Sequence, residues 1–393
     1  MRHLACCLAA TTILSAAEPV LRSASGAAAG TRPIWTADSS AVLYARALEP
    51  DQEAGELRIL DLERGGERSF GRVPYQGGPR SEPRATQVMQ PLAVDATLRV
   101  VWVGCGGRGL WVWRPVDGGL VKLHPEAESA EAFRASQTIS GGPEGRVAFV
   151  DRWSDRVALA AGDGSAVEWL PVVLGRKEHL AAPLWWRGQL VAAQDGGAAR
   201  LLWPSPAGVD LAGLASALPA NPRVALSSWD PGSGGMLVAE VPGGLRQPLL
   251  APQAGAARLR LLQARDQLAW TRSLADGDIR ERLRQASKAE RANPQGIGTG
   301  APVVHESAVV VSYRHPLAVL RFDLEVRYGF VGHVYTAFAR YDVAADRLEP
   351  LGDSYRYTSS GVNEDGGDLP TCSPAPDARG VAFRVADTVV VLR

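Results

Sequence analysis

From residue 33 to the C-terminus one pattern of short apolar segments and polar turns returns roughly every 45 residues, and a chain with that period has few folds open to it. Each unit has an apolar segment and a turn. A second segment rich in Val, Leu and aromatics follows, then a third that ends in a tight polar reversal, then a short fourth. The second segments align as Ala41-Val-Leu-Tyr44, Arg99-Val-Val-Trp102, Arg146-Val-Ala-Phe149, Gln189-Leu-Val-Ala192, Arg223-Val-Ala-Leu226, Gln267-Leu-Ala-Trp270, Ala308-Val-Val-Val311 and Gly380-Val-Ala-Phe383. The third segments recur as Glu56 to Leu62 before Arg64-Gly-Gly66, Leu110 to Trp113 before Asp117-Gly-Gly119, and His333 to Val343 before Ala344-Ala-Asp346. Apolar and polar residues alternating between Asp and Gly turns are what antiparallel hairpins require, because those residues accept the backbone angles of a tight reversal.

A four-stranded sheet cannot bury both faces by itself. Twisted sheets packed radially bury each against its neighbours, which predicts an all-β chain folded as a β-propeller. Eight second segments predict eight four-stranded blades, with seven as the alternative because the unit around Arg223 is short. The 11 tryptophans spread along the units are expected to fill the spaces between blades. The last unit ends on its third strand, Val389-Val-Val-Leu-Arg393, so its fourth strand must come from elsewhere, and Glu18 to Ser25 is the expected donor. Residues 18–393 are thus expected to form one domain closed by an N-terminal strand.

The segment Pro33-Ile-Trp-Thr-Ala-Asp-Ser-Ser-Ala-Val-Leu-Tyr44 resembles the signature of TolB-like propeller repeats, and Pro370-Thr-Cys-Ser-Pro374 through Asp377 to Phe383 is similar with two extra turn residues. Intermediate units keep the apolar skeleton and Asp95 or Glu144 at the turn. The resemblance covers the propeller alone, without the α/β domain that precedes it in the complete Tol-system protein. It also implies two comparisons within the family. Prolyl oligopeptidases carry such propellers, but no Gly-x-Ser-x-Gly elbow is present here. Metal-dependent oligogalacturonate lyases are TolB-like as well, which keeps a carbohydrate-active lyase or hydrolase as the alternative to a non-catalytic role.

Residues 1–17 read as an export signal: Arg2 and His3 precede the apolar run Leu4 to Leu14, which ends in Ser15, Ala16 and Ala17. A periplasmic or extracellular location is expected. No stretch approaches the roughly 18 apolar residues of a membrane span. With 42 basic and 42 acidic residues the chain has no net charge to steer it to nucleic acid.

Because successive strands reverse, the loops between second and third strands share a face with the connections between blades. The long ones on that face are 47–55, 315–332 and 352–368, and a protein or polymer partner is expected there, met by a monomer. Tyr355 and Tyr357 with Asp365 and Asp368 are the candidate binding residues. His315 and His333 end the 315–332 insertion, so with Asp323 or Glu325 they are the candidate metal ligands, His305 being excluded as lying at the opposite end of its strand.

Two motifs are set aside. Gly104-Cys-Gly-Gly-Arg-Gly109 fits a dinucleotide fingerprint, yet a strand-like Leu110-Trp-Val-Trp113 follows where a helix must present its amides to phosphate, and no cofactor is expected. Arg280 to Arg291 has helical composition without an apolar stripe and reads as a solvated strand and loop, with one helical turn as the alternative. Cys105 and Cys372 fall in different blades and at different ends of their strands, which predicts two free thiols. No set of nucleophile, base and oxyanion donor can be named, so the residues favour a non-catalytic scaffold.

Overall fold

The computed structural model describes residues 21–27, 31–46, 55–73, 90–94, 98, 101–104, 110–122, 140–141, 146–151, 156–161, 167–173, 184–186, 189–192, 200–203, 230, 233, 235–242, 247–248, 255–263, 267–292, 303–328, 331–360, 372–385 and 387–393. They form seven antiparallel sheets. Strand β1 (Leu21–Ala24) precedes the first sheet and belongs to the last. The first sheet is β2 (Ile34–Trp35), β3 (Ala41–Arg46), β4 (Gly55–Asp61) and β5 (Glu67–Val73). The second is β6 (Gln90–Val94), β7 (Val101–Gly104), β8 (Leu110–Arg114) and β9 (Gly119–Lys122), and the third β10 (Ser140–Gly141), β11 (Val147–Asp151), β12 (Arg156–Ala160) and β13 (Val167–Val173). The fourth has β14 (Leu184–Trp186), β15 (Gln189–Ala192) and β16 (Arg200–Trp203). In the fifth, β17 (Met236–Glu240) pairs with β19 (Arg258–Gln263), which pairs with β20 (Gln267–Ser273). The sixth runs β18 (Gln247–Pro248), β21 (Val303–Arg314), β22 (Leu317–Tyr328), β23 (Val331–Asp342) and β24 (Arg347–Ser360). The seventh is β25 (Ser373–Pro374), β26 (Val381–Val385) and β27 (Thr388–Leu392), with β1 on the outer side of β27.

The sheets are arranged radially. First strands of successive sheets meet in order, β25 with β2, β2 with β6, β6 with β10 and β10 with β14, as the inner strands of blades around an axis must. The fold is a β-propeller. Strands β3, β7, β11, β15, β21 and β26 carry six of the eight second segments; Gln267 to Trp270 lies instead on β20, the last strand in the order β17-β19-β20, and Arg223 to Leu226 lies outside the described residues.

One turn is built three times, just ahead of β3, β26 and β17. In the first sheet Thr36 N–H donates to Ala41 O (3.0 Å) and Ser39 N–H to Thr36 O (3.0 Å), while Asp38 Oδ1 accepts from Thr36 Oγ1 (2.6 Å) and Ser40 N (3.0 Å). In the seventh, Ala375 N–H donates to Gly380 O (2.9 Å) and Asp377 Oδ1 accepts from Arg379 N (3.0 Å). The fifth repeats it with Asp230 N–H on Gly235 O (2.8 Å) and Ser233 N–H on Asp230 Oδ2 (2.8 Å). The aspartate thus organises the reversal locally, as a side chain that satisfies its own turn.

Between sheets the core is apolar. Trp113 packs edge-on against Phe70 with ring centroids 6.1 Å apart, and Gly71, at φ +143°, leaves that space open: a Cβ there would stand 2.7 Å from the indole. Trp35, Val42 and Tyr44 of the first sheet pack with Ala382, Val389 and Val391 of the seventh. Trp35 Nε1 crosses the seam to Ser373 O (2.7 Å), and the terminal Arg393 donates to both Ser39 O (2.6 Å) and Asp377 Oδ2 (2.8 Å). Strand β1 pairs antiparallel with β27, Leu21 opposite Leu392 and Ala24 opposite Val389.

The sixth sheet departs from the expectation. Residues 315–332 are not a loop: they are the turn of a long hairpin, all of β22 and the start of β23, and 352–360 are strand as well. Its four long strands have 12 to 14 residues, against 2 to 7 in the other sheets. One face packs on the seventh sheet through Val319, Phe338 and Leu351 against Phe383 and Leu392. The other packs on the fifth sheet and on a helix, α1 (Gly277–Ala286), followed by α2 (Lys288–Ala292). The charged stretch read as strand and loop is therefore helical. Its buried side is Ile279, Arg280 and Leu283, so a guanidinium interrupts the apolar stripe. That guanidinium is tolerated because Glu306 of β21 meets it: Arg280 Nε lies 2.9 Å from Glu306 Oε2, and Arg284 Nη2 lies 3.1 Å from Oε1.

Candidate binding surface on the long sheet

Cross-strand register sorts the side chains of the sixth sheet into rows on one face. Val309, Arg321, Phe338 and Leu351 form one row, then Ser307, Asp323, Thr336 and Tyr355. The following row is His305, Glu325 and Val334. Along β22 the period-two alternation of Arg321-Phe-Asp-Leu-Glu-Val-Arg327 sends all four charges to this face and Phe322, Leu324 and Val326 to the other, where they are buried. The ladder of charges runs from inside to outside, the side chain of Asp323 being 6% exposed and that of Arg327 42%.

The buried end is internally satisfied. Asp323 accepts from Arg321 Nε (2.9 Å) and from Thr336 Oγ1 (2.7 Å). Burial nonetheless pushes its carboxyl above the usual carboxylate range, outweighing the pull of Arg321 and Thr336. Cys372, a free thiol, sits beside it just before β25; burial raises its thiol, against the opposing pull of Arg321 and Arg32. Burial also lowers the Arg32 guanidinium, whose Nε reaches Ser373 Oγ at 3.3 Å. The open end carries the Arg327–Glu325 pair (2.7 Å) with His305 opposite Glu325. On the helix side a cavity of about 10 Å³, room for one water, lies among Val241, Arg280, Leu283, Glu306, Phe322 and Leu324.

The candidate metal ligands are not brought together. His315 stands at the β21–β22 turn, its Nδ1 3.2 Å from Tyr313 Oη, whereas His333 pairs with Val326 near the far end of the hairpin. Nine residues of extended strand separate these levels, roughly 30 Å. His333 also lies on the face opposite Asp323, since Val326 and Asp323 are three residues apart on one strand. The excluded histidine, His305, is the one on the face of Asp323, whose carboxyl it helps to hold down. Among the described residues no three His, Cys, Asp or Glu side chains converge on a common point.

Of the candidate binding residues, Tyr355 is half-buried and turned inward, its ring edge-on to Phe383 with centroids 4.8 Å apart. Tyr357 lies on β24 opposite Val334. Asp365, Asp368, Cys105, loop 47–54 and the export signal fall outside the described residues. The sequence reading missed the charge ladder of β22 and the Arg280–Glu306–Arg284 cluster. The ladder had a legible signal in its strict alternation; the cluster had none, because its partners lie on elements 22 to 26 residues apart. Among the described residues no helix is long and apolar enough to cross a membrane.

No family model matches the chain, and no curated protein does. Among solved structures the chain is similar to one titled structure of U3-55K, with 12% identity over 96% of this chain and 98% of that one, at a TM-score of 0.45. It is similar to the RRP9 WD40 repeats at 12% identity over 94% and 99%, TM-score 0.41. The Cps50 (Swd1) β-propeller domain of Myceliophteria thermophila is similar at 9% identity over 94% and 96%, TM-score 0.36. Likeness at this level adds nothing about function, and the propeller assignment rests on the radial order of the sheets.

Proposed function

We propose that the protein is an exported, monomeric, non-catalytic propeller of TolB-like blades that binds a protein or polymer partner along its long sixth sheet. The observation that carries this reading is the length of that sheet and the graded charge ladder on one of its faces. Strands twice the length of a blade are not needed to pack a propeller, and exposed charge at their open end costs nothing until a partner desolvates it. The blade type is supported by the aspartate-organised turns at Thr36–Ala41, Asp230–Gly235 and Ala375–Gly380. Seven sheets among the described residues leave the unit around Arg223 to decide between seven blades and eight. Export is supported by the sequence of residues 1–17.

The test is affinity capture from the exported fraction with the wild-type chain, the charge reversal Glu325→Arg/Arg327→Glu, and a control reversal on the first sheet, Glu56→Arg/Arg58→Glu. A partner kept by the control and lost with the sixth-sheet reversal supports the reading. A set of partners indifferent to both reversals removes the sixth sheet from consideration.

A further inference from the structure

The outer strand of a blade presents an unpaired backbone edge, which a folded chain keeps short, bulged or charged. Among the described residues six of the seven sheets do so. Strands β1, β9 and β16 have four residues each. The longer outer strands β5, β13 and β20 are broken by bulges into paired runs of at most four residues. Strand β24 of the sixth sheet departs from this. It is interrupted once, where residues 352–354 stand opposite Ala337 alone with Gly352 at φ +68°. On one side of the bulge Pro350 removes a donor from the run, and Arg282 of α1 approaches the Gly352 carbonyl at 3.5 Å. On the other side residues 355–360 pair without a break with residues 331–336 of β23, six positions in register and free of proline. Among the described residues no strand lies beyond them. Every second residue of an antiparallel strand turns its N–H and C=O away from its partner, so this run offers three donors and three acceptors outward.

We propose, resting on the binding role assigned above to the sixth sheet, that its partner is a protein and that an extended segment of that protein adds a strand to residues 355–360 of β24. A backbone edge selects polypeptide over polysaccharide, because a peptide strand repeats a donor and an acceptor at the spacing of the edge. Tyr355, half-buried with its ring edge-on to Phe383, favours an aromatic or β-branched residue beside it in the added strand. The next position carries the exposed Arg356, which favours a carboxylate beside it. A proline-free segment with those two residue types at successive positions is the chemistry that this edge accepts.

The experiment follows amide exchange in β24 of the full chain, alone and with the peptide acetyl-Thr-Val-Thr-Val-Glu-Val-amide, which sets Val beside Tyr355 and Glu beside Arg356 when it pairs antiparallel. Alternate amides of residues 355–360 are expected to exchange fast in the free chain and to slow roughly tenfold at saturating peptide, while amides of β5 and β20 are unchanged. Of Tyr357→Pro and Thr358→Pro, one removes an outward N–H and spares the pairing with β23. That variant is expected to keep its circular dichroism and lose the peptide. Fast amides that stay fast at saturating peptide overturn the inference, and so does slowing that survives the proline. Slowing that grows with protein concentration in the absence of peptide, together with a dimer in sedimentation, assigns the edge to a second copy and overturns it as well. The Glu325→Arg/Arg327→Glu reversal leaves the backbone of β24 untouched and tests the sixth-sheet reading separately: a captured partner lost with the reversal and kept by the proline variant leaves that reading standing and removes the strand addition.

Discussion

Replacing Glu306 by Ala tests the claim that an ionic cluster, as much as apolar contact, holds α1 on the long sheet. The side chain of Glu306 is 15% exposed and that of Arg280 10%, so both have given up most of their hydration. Glu306 receives Arg280 through one oxygen and Arg284 through the other, and Arg280 Nη1 also donates to Gly255 O at 2.7 Å. Deleting the carboxylate leaves two guanidiniums facing each other with the larger part of their compensation gone. Removing one partner of a buried pair costs about 3–5 kcal/mol, against at most about 1 kcal/mol for a surface pair. The apolar share of the helix, Ile279 and Leu283 at about 1.5–3 kcal/mol each on burial, is of the same size as that loss, so losing the cluster is expected to cancel most of what the apolar contacts supply. The assay is native-state amide exchange along residues 279–286, supported by urea unfolding. Glu306→Ala is expected to bring the helix amides to local opening well below the global unfolding free energy, while Arg280→Met/Glu306→Leu leaves them near wild type. A Glu306→Ala cost under about 1 kcal/mol would show that the cluster behaves as a surface pair and that the packing argument is wrong.

Trp35→Phe keeps the ring in the seam and removes the donor to Ser373 O, which should cost about 1–2 kcal/mol in urea unfolding and nothing in sheet content by circular dichroism. Gly71→Ala sets a methyl 2.7 Å from Trp113 at a φ of +143°; a loss of about 1–3 kcal/mol with a changed tryptophan emission is expected, and an unchanged spectrum would place the indole elsewhere. Asp323 has its carboxyl raised by burial, so the folded state binds its proton more tightly than the unfolded chain. Its contribution to stability is therefore most favourable below the ordinary carboxylate range of about 3.9 and is lost as pH rises through the folded value. Unfolding measured across that window should show this downward slope in the wild type and not in Asp323→Asn. Cys372, with its thiol raised by burial, should resist an alkylating agent at pH 8 in the native protein and react fully in denaturant without reductant; rapid native labelling would mean that the thiol is open to solvent.

What the sequence made legible was whatever is organised within one unit. The turn aspartates at Asp38 and Asp377 bond their own neighbours two residues on, so their meaning is contained in a few consecutive letters. Segments such as Ala41 to Tyr44 and Gly380 to Phe383 are apolar on both faces because sheets cover them on both sides, and a continuous apolar run survives reading in isolation. Residues whose environment comes from another unit were not legible. Tyr355 reads as an exposed aromatic until Phe383, 28 positions later, is placed against its ring.

The same limit explains the long hairpin. A blade strand is expected to show an apolar face toward each neighbour, and Arg321, Asp323, Glu325 and Arg327 violate that along β22. Charge in such a place reads as a solvated loop, and the turn at His315-Pro316 supports the same misreading. The violation is paid in two ways that only the fold reveals. At the inner end Thr336 and Arg321 satisfy Asp323 across and along the sheet, so burial is tolerated; at the outer end Arg327 and Glu325 pair with each other where the Arg327 side chain is 42% exposed. Helix α1 follows the same rule, since Arg280 fits in an apolar stripe only where Glu306 waits on β21. Local patterns that break a blade's apolar rule are therefore where this chain departs from a plain propeller. The break at the more exposed end, the Arg327–Glu325 pair with His305 opposite, is the one on which the proposed binding surface rests.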